Sequence, residues 1–249
     1  MFASCLCLNP NCWEFIYYIM RTFLFLHGWG GSAESFAPIS QYFARGTIGG
    51  EACRVLAPSL PCPPRAVYTL EDYADDVENY LRDNQVTRCV VVAHSFGARL
   101  VAILNARQPQ LFSAIIITGG AGLITRQSFV VRWRIWWYRL RRRFGWRVSG
   151  GSADYRQLDD NGKRTFQNII HRDLSAEVKQ ITAPTLLIWG SEDRDTPLRQ
   201  LHRWCKLIPH ARKVIYKRQG HFAYLEDSAR FINDVVHFLQ VNGEHHDAI

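Results

Sequence analysis

Short apolar runs alternate along the chain with longer stretches in which apolar residues recur every three or four positions. The runs are Phe23-Leu24-Phe25-Leu26, Val90-Val91-Val92, Ala114-Ile115-Ile116-Ile117-Thr118 and Thr185-Leu186-Leu187-Ile188-Trp189. Each is as short as a strand, rich in β-branched or aromatic residues, and apolar at consecutive positions, which predicts strands covered on both faces. Residues 53–58, ending at Pro58, and residues 212–216 predict two further strands. Helical spacing covers 70–83, the stretch from Ala98 to Leu104, residues 197–207 with Pro197 at the first helical position, and 227–240. Ser32 is placed to cap another helix running to about Ala44, with Glu34 near its start. Strand and helix alternate, so the pattern predicts one mostly parallel sheet in an α/β protein, with helices on both faces.

The alternation sets the expected organisation. Residues 1–19 are rich in Cys and aromatics without a clear period, and Met20 stands directly before the first strand. This suggests a non-core extension, with translation starting at Met20. The core is expected over 20–121 and 183–240, a helical insertion over 122–182, and a polar tail over 241–249. There is no internal repeat and no low-complexity linker.

Within the insertion, Val130, Trp133, Trp137, Leu140 and Phe144 fall on one helical face and arginines on the other. Such a helix suits a membrane surface or an acidic partner, or it packs its Trp stripe over a pocket with its arginines in water. The second role is expected, because the segment interrupts a single α/β frame.

Charge sharpens this picture. Lys and Arg number 30 against 22 Asp and Glu, a net charge of +8, and no acidic residue lies between Asp83 and Asp154. The excess is therefore local, the mark of a surface patch rather than a nucleic-acid-binding fold. Seven cysteines form no CxxC pair, which points to reduced thiols in a cytoplasmic protein and away from zinc. No apolar run reaches the roughly 18–20 residues that span a bilayer, and no basic segment precedes the apolar N-terminal residues as in a secretory signal.

The candidate chemistry begins at Ala93-His94-Ser95-Phe96-Gly97, where a buried strand turns into a helix. Small residues two before and two after a serine allow strand and helix to approach closely, with the hydroxyl exposed on a strained turn. The helix N-terminus behind it favours developing negative charge. A serine nucleophile needs an imidazole to take its proton and a carboxylate to orient that imidazole. Three carboxylates (Glu192, Asp193 and Asp195) follow the strand ending at Gly190, and His221 follows the strand at 212–216. Both loops leave the C-terminal edge of the sheet, where open α/β sheets place their sites. His27 reads as a brace for its own loop, and His94 as a packing or pocket residue.

Four motifs in order carry a resemblance to the α/β-hydrolase family over about Thr22 to Leu239. They are His27-Gly28-Trp29-Gly30, Ala93-His94-Ser95-Phe96-Gly97, Gly190-Ser191-Glu192-Asp193 with Pro197, and Gly220-His221-Phe222. The resemblance implies the α/β-hydrolase fold with a small helical lid over 122–182. It implies Ser95 as nucleophile, His221 as general base and then acid, and Asp193 as the orienting carboxylate. The backbone N–H groups of Trp29 and Phe96 would form the oxyanion hole, and His27, Trp133 and Trp137 are candidates for the substrate pocket. Ala93 and Ala98 stand where glycine is frequent in the family, and the two hairpin strands that normally precede the His-Gly turn are missing.

The expected activity is that of a carboxylesterase-type hydrolase acting on a small or medium ester, with no metal and no cofactor. Hydrolysis of a C–C bond in a diketone-like acid is the alternative within enzymes. A non-catalytic binding protein with a basic lid is the alternative outside them.

Overall fold

The computed structural model describes residues 20–61, 64–124 and 158–243. Among these residues seven strands form one sheet: β1 Arg21–Leu26, β2 Thr47–Ile48, β3 Glu51–Leu56, β4 Cys89–His94, β5 Phe112–Thr118, β6 Thr185–Gly190 and β7 Arg212–Tyr216. Their order is β2-β3-β1-β4-β5-β6-β7, parallel throughout except for the antiparallel edge pair β2–β3.

The apolar runs are continuous because the pleat sends alternate residues into two separate cores. Leu24, Leu26, Val91, Ala93, Ile115, Ile117, Leu187 and Trp189 pack into one. Phe23, Phe25, Val90, Val92, Ala114, Ile116, Leu186 and Ile188 pack into the other. β4 is buried along its whole length.

Helices cover both faces. They are α1 Ala37–Arg45, α2 Leu70–Asp83, α3 Gly97–Arg107, α4 Asp160–Ile170, α5 Ser175–Val178, α6 Leu198–Leu207, α7 Ala223–Glu226 and α8 Ser228–Gly243. α2 starts on a reciprocal cap: Thr69 Oγ1 accepts from the Asp72 N–H at 3.2 Å, and Asp72 Oδ2 accepts from the Thr69 N–H at 2.7 Å.

Four boundaries differ from the sequence reading. The helix expected from Ser32 is a 3-10 turn, Ala33–Phe36, followed by α1; Pro38 lacks the N–H that a continuous helix would use there. The third strand runs from Glu51 to Leu56, not 53–58. The last helix is split into α7 and α8, and α8 extends into the expected tail as far as Gly243.

β2 was not foreseen. It joins β3 through Gly49 and Gly50, both at positive φ (61° and 85°), the backbone that a tight antiparallel hairpin requires. Among the described residues no strand precedes β1, so this two-residue strand forms the sheet edge beside β3.

Of the insertion, 125–157 lies outside the described residues and takes with it the Trp- and Arg-rich stretch, including Trp133 and Trp137. Residues 1–19 lie outside them too. Among the described residues no helix is long and apolar enough to cross a membrane.

Candidate active site

Ser95 sits between β4 and α3 with φ +49°, a left-handed conformation that a non-glycine residue adopts only where its surroundings impose it. The imposition is visible. The Ser95 N–H donates to Thr118 O at 3.2 Å, and Ser95 O accepts from the N–H groups of Ala98 and Ala121 at 3.2 and 3.0 Å. A Cβ on Gly97 would lie 2.4 Å from Leu26 O, so only glycine lets the head of α3 rest on β1. Gly28 is pressed against the same turn, its would-be Cβ 2.8 Å from His94 Nδ1.

His221 follows β7 and meets Asp193 from the β6–α6 loop, with Nδ1 2.9 Å from Oδ2. Asp193 is 5% exposed. Its Oδ1 accepts from the backbone N–H groups of Asp195 and Thr196 at 2.9 and 2.8 Å, and Thr196 Oγ1 lies 2.7 Å from Oδ2. Burial alone would raise the Asp193 pKa, but hydrogen bonds from His221 and Thr196 outweigh it and hold the carboxyl below its ordinary value. Asp193 thus stays ionised and stands where it can accept a proton from Nδ1 of His221.

Ser95 and His221 line one cavity of about 640 Å³ among the described residues, within the usual size for small-molecule sites. The Ser95 hydroxyl takes no hydrogen-bond partner among those residues; nucleophile–base hydrogen bonds are commonly loose before substrate binds. Trp29 and Phe96 flank the serine, and their backbone N–H groups have no acceptor among the described residues. The Trp29 ring stands edge-on to Phe96 and Phe166, with centroids 5.6 and 5.7 Å apart, which fixes the first loop and α4 against the serine turn.

Asp193, Asp195 and His221 each bring one ligand-type atom within 4.8 Å of the others. Both oxygens of Asp193 already accept from protein donors, however.

Two histidines take roles that the sequence assigned only loosely. His27, expected among the pocket residues, does not line the cavity. It is 1% exposed, its Nδ1 lies 2.8 Å from Gly28 O, and its Nε2 accepts from the Leu60 N–H at 2.9 Å. It is therefore a neutral brace between the first loop and the Pro-rich loop.

His94 is buried with its Nε2 3.1 Å from His221 O and its ring 4.6 Å from the His221 ring. A carbonyl accepts, so Nε2 carries the proton. Burial, then the proximity of His221, push the His94 pKa down to about 3. A neutral His94 anchors the backbone of His221 without placing a charge beside that ring. Thr196 was missed altogether: a Thr before a proline has no sequence signature for bridging a carboxylate and Gly119 O (3.0 Å).

His94 leads to a prediction for acid stability. Unfolded, its pKa is near the model-peptide value of 6.5, and folded it is about 3. Below pH 6.5 the unfolded chain therefore binds a proton that the folded chain refuses, and stability falls as pH falls. Between pH 7.5 and 5 this one group removes about 2 kcal/mol, and His27, shifted down by the same burial, adds in the same direction. Urea unfolding at stepped pH is expected to show this decline, with a shallower slope for His94→Gln. Equal slopes would mean that His94 is not the titrating group.

Residues 23–235 match the alpha/beta hydrolase family. The chain belongs to that family. An uncharacterized protein of Mycobacterium tuberculosis is 24% identical over 259 residues, covering 87% of this chain and 74% of that protein. The strigolactone esterase of Pisum sativum is 31% identical over 107 residues, or 39% of this chain and 38% of the esterase. Among solved structures, an alpha/beta hydrolase enzyme from the metagenome of sediments of the Mar Chica lagoon, Morocco, superimposes with a TM-score of 0.68 at 18% identity. It covers 90% of this chain and 92% of its own. The protein is thus a hydrolase of this family, and fold likeness alone leaves its substrate to be argued from the site.

Proposed function

We propose that this hydrolase cleaves a carboxylic ester through an acyl-enzyme on Ser95. The observation that carries the reading is the contact of buried Asp193 with half-buried His221, 2.9 Å apart, where His221 opens on the same cavity as a serine held at φ +49°. In this mechanism His221 Nε2 takes the Ser95 proton as Oγ attacks the ester carbonyl. The resulting oxyanion accepts from the free N–H groups of Trp29 and Phe96, the second at the head of α3, where the helix dipole adds to the effect. His221 then protonates the leaving alcohol. Water, deprotonated by the same nitrogen, releases the acid. Asp193 stays ionised throughout and stabilises the imidazolium.

An ester substrate is supported by the mixed cavity wall, where Trp29 and Phe166 lie beside polar loops, and by the esterase named among the relatives.

The test uses the full-length protein, with p-nitrophenyl esters from acetate to octanoate and a fluorophosphonate probe. Turnover together with probe mass on the peptide containing Ser95 is the expected result, since only an activated serine reacts. Absence of labelling would overturn the serine mechanism. Labelling without ester turnover would keep the nucleophile and reject the ester.

A further inference from the structure

We propose that Arg99 gives the cavity an anion subsite, so that the substrate is an ester carrying a carboxylate remote from the bond cleaved, as in a half-ester of a dicarboxylic acid. The proposal rests on the reading of Ser95 as nucleophile.

Arg99 is the fourth residue after Ser95, one helical turn along α3 and on the cavity wall. α3 is buried without a break from Gly97 to Asn105, and Arg99 is the one charged residue in that stretch, itself only 9% exposed. Its Nη1 donates to the carbonyls of Ile169 and Arg172 at 2.7 and 3.2 Å. Both N–H groups of that nitrogen are thereby used. Nε and Nη2 have no acceptor among the described residues. Those two nitrogens form the side-on edge of the guanidinium, whose parallel N–H groups match the two oxygens of a carboxylate.

No carboxylate among the described residues forms an ion pair with this guanidinium. The acid that acts on it electrostatically is Asp173. Asp173 is engaged elsewhere, accepting from Arg203 Nη2 at 3.0 Å, Ser175 Oγ at 2.8 Å and the Ile124 N–H at 3.1 Å. Asp195, an exposed residue of the β6–α6 loop, is the acidic side chain on the same cavity wall, and it forms no ion pair or hydrogen bond with Arg99. Burial lowers the Arg99 pKa to about 10, so the group remains cationic at neutral pH.

A strut for two backbone carbonyls needs donors but no charge, and a buried charge without a counter-ion is costly. A bound carboxylate would supply a directly bonded counter-ion, which an uncharged substrate could not. The pairing therefore selects between substrates.

The experiment compares kcat/KM for mono-p-nitrophenyl glutarate, adipate and suberate with the p-nitrophenyl alkanoates of equal carbon number, in wild type and Arg99→Met. The readout is the ratio of anionic to neutral ester. It is expected to exceed one for at least one chain length in wild type and to fall at least about tenfold in Arg99→Met. A wild-type ratio below one at every length would overturn the proposal. So would a fall of both rates together with the ratio unchanged, which is the signature of a strut alone.

Fluorophosphonate labelling at Ser95 is measured in parallel. Loss of labelling in wild type would mean that the nucleophile reading has failed, whereas labelling with an unchanged ratio would mean that only the subsite has. Should Arg99→Met not fold, Arg99→Lys keeps the charge without the fork, and a fall in the ratio of at least about threefold is expected.

Discussion

Asp193→Asn is expected to lower kcat by about 10³–10⁴-fold with little change in fold. The structure specifies how. Oδ1 of Asp193 accepts two backbone N–H groups, from Asp195 and Thr196, so the asparagine carbonyl is forced to that side. Its NH2 group is then directed at His221 Nδ1. A donor there meets a donor unless the imidazole moves its proton to Nε2, and that tautomer cannot take a proton from Ser95. The loss is thus a wrong tautomer, held in place by two backbone hydrogen bonds, and not a missing charge alone.

Ser95→Ala is expected to fall at least as far, and the double variant little further, because the two residues act as one unit. Single-turnover kinetics with a p-nitrophenyl ester, alongside circular dichroism to confirm folding, measures this. Asp193→Asn activity within tenfold of wild type would reject Asp193 as the orienting acid, and Glu192 or Asp195 would then be tested in its place.

Gly190→Ala is the second large effect, and it acts through the frame. A Cβ on Gly190 would lie 2.1 Å from Gly220 O and 2.3 Å from Gln219 O. Both obstacles are backbone atoms, so no rotamer relieves the clash. The acid loop and the histidine loop meet here, joined by the Glu192 N–H to Gln219 O at 2.9 Å. One methyl group therefore drives apart the two loops that carry Asp193 and His221.

Overpacking of this kind costs about 1–3 kcal/mol. A displacement near 1 Å between paired catalytic groups costs roughly 10²-fold in rate. Urea unfolding and ester kinetics on the same preparation are expected to show both losses together. Full activity with unchanged stability would mean that the two loops are not in fact so closely apposed.

The sequence alone determined the sheet, because strands buried on both faces cannot hide a polar residue and must read as unbroken apolar runs. It also determined where Ser95, Asp193 and His221 stand along the chain. Each lies within a few residues of a strand end, and turn chemistry is local. β2 was not foreseen for the opposite reason: a two-residue strand has no periodicity to read, and only the paired edge of β3 creates it.

The surroundings of the site were decided by tertiary structure. His94 against the His221 carbonyl, Thr196 against Gly119, His27 against Leu60, and Arg99 against Ile169 all join residues 33 to 127 positions apart. Whether a histidine serves as base, brace or anchor depends on which groups its two nitrogens meet once the chain is folded, and residue type and spacing carry no record of that. The charge of Arg99 likewise was legible as a letter in a helix. Its burial, and its want of an ion-paired carboxylate among the described residues, exist only in the packed molecule.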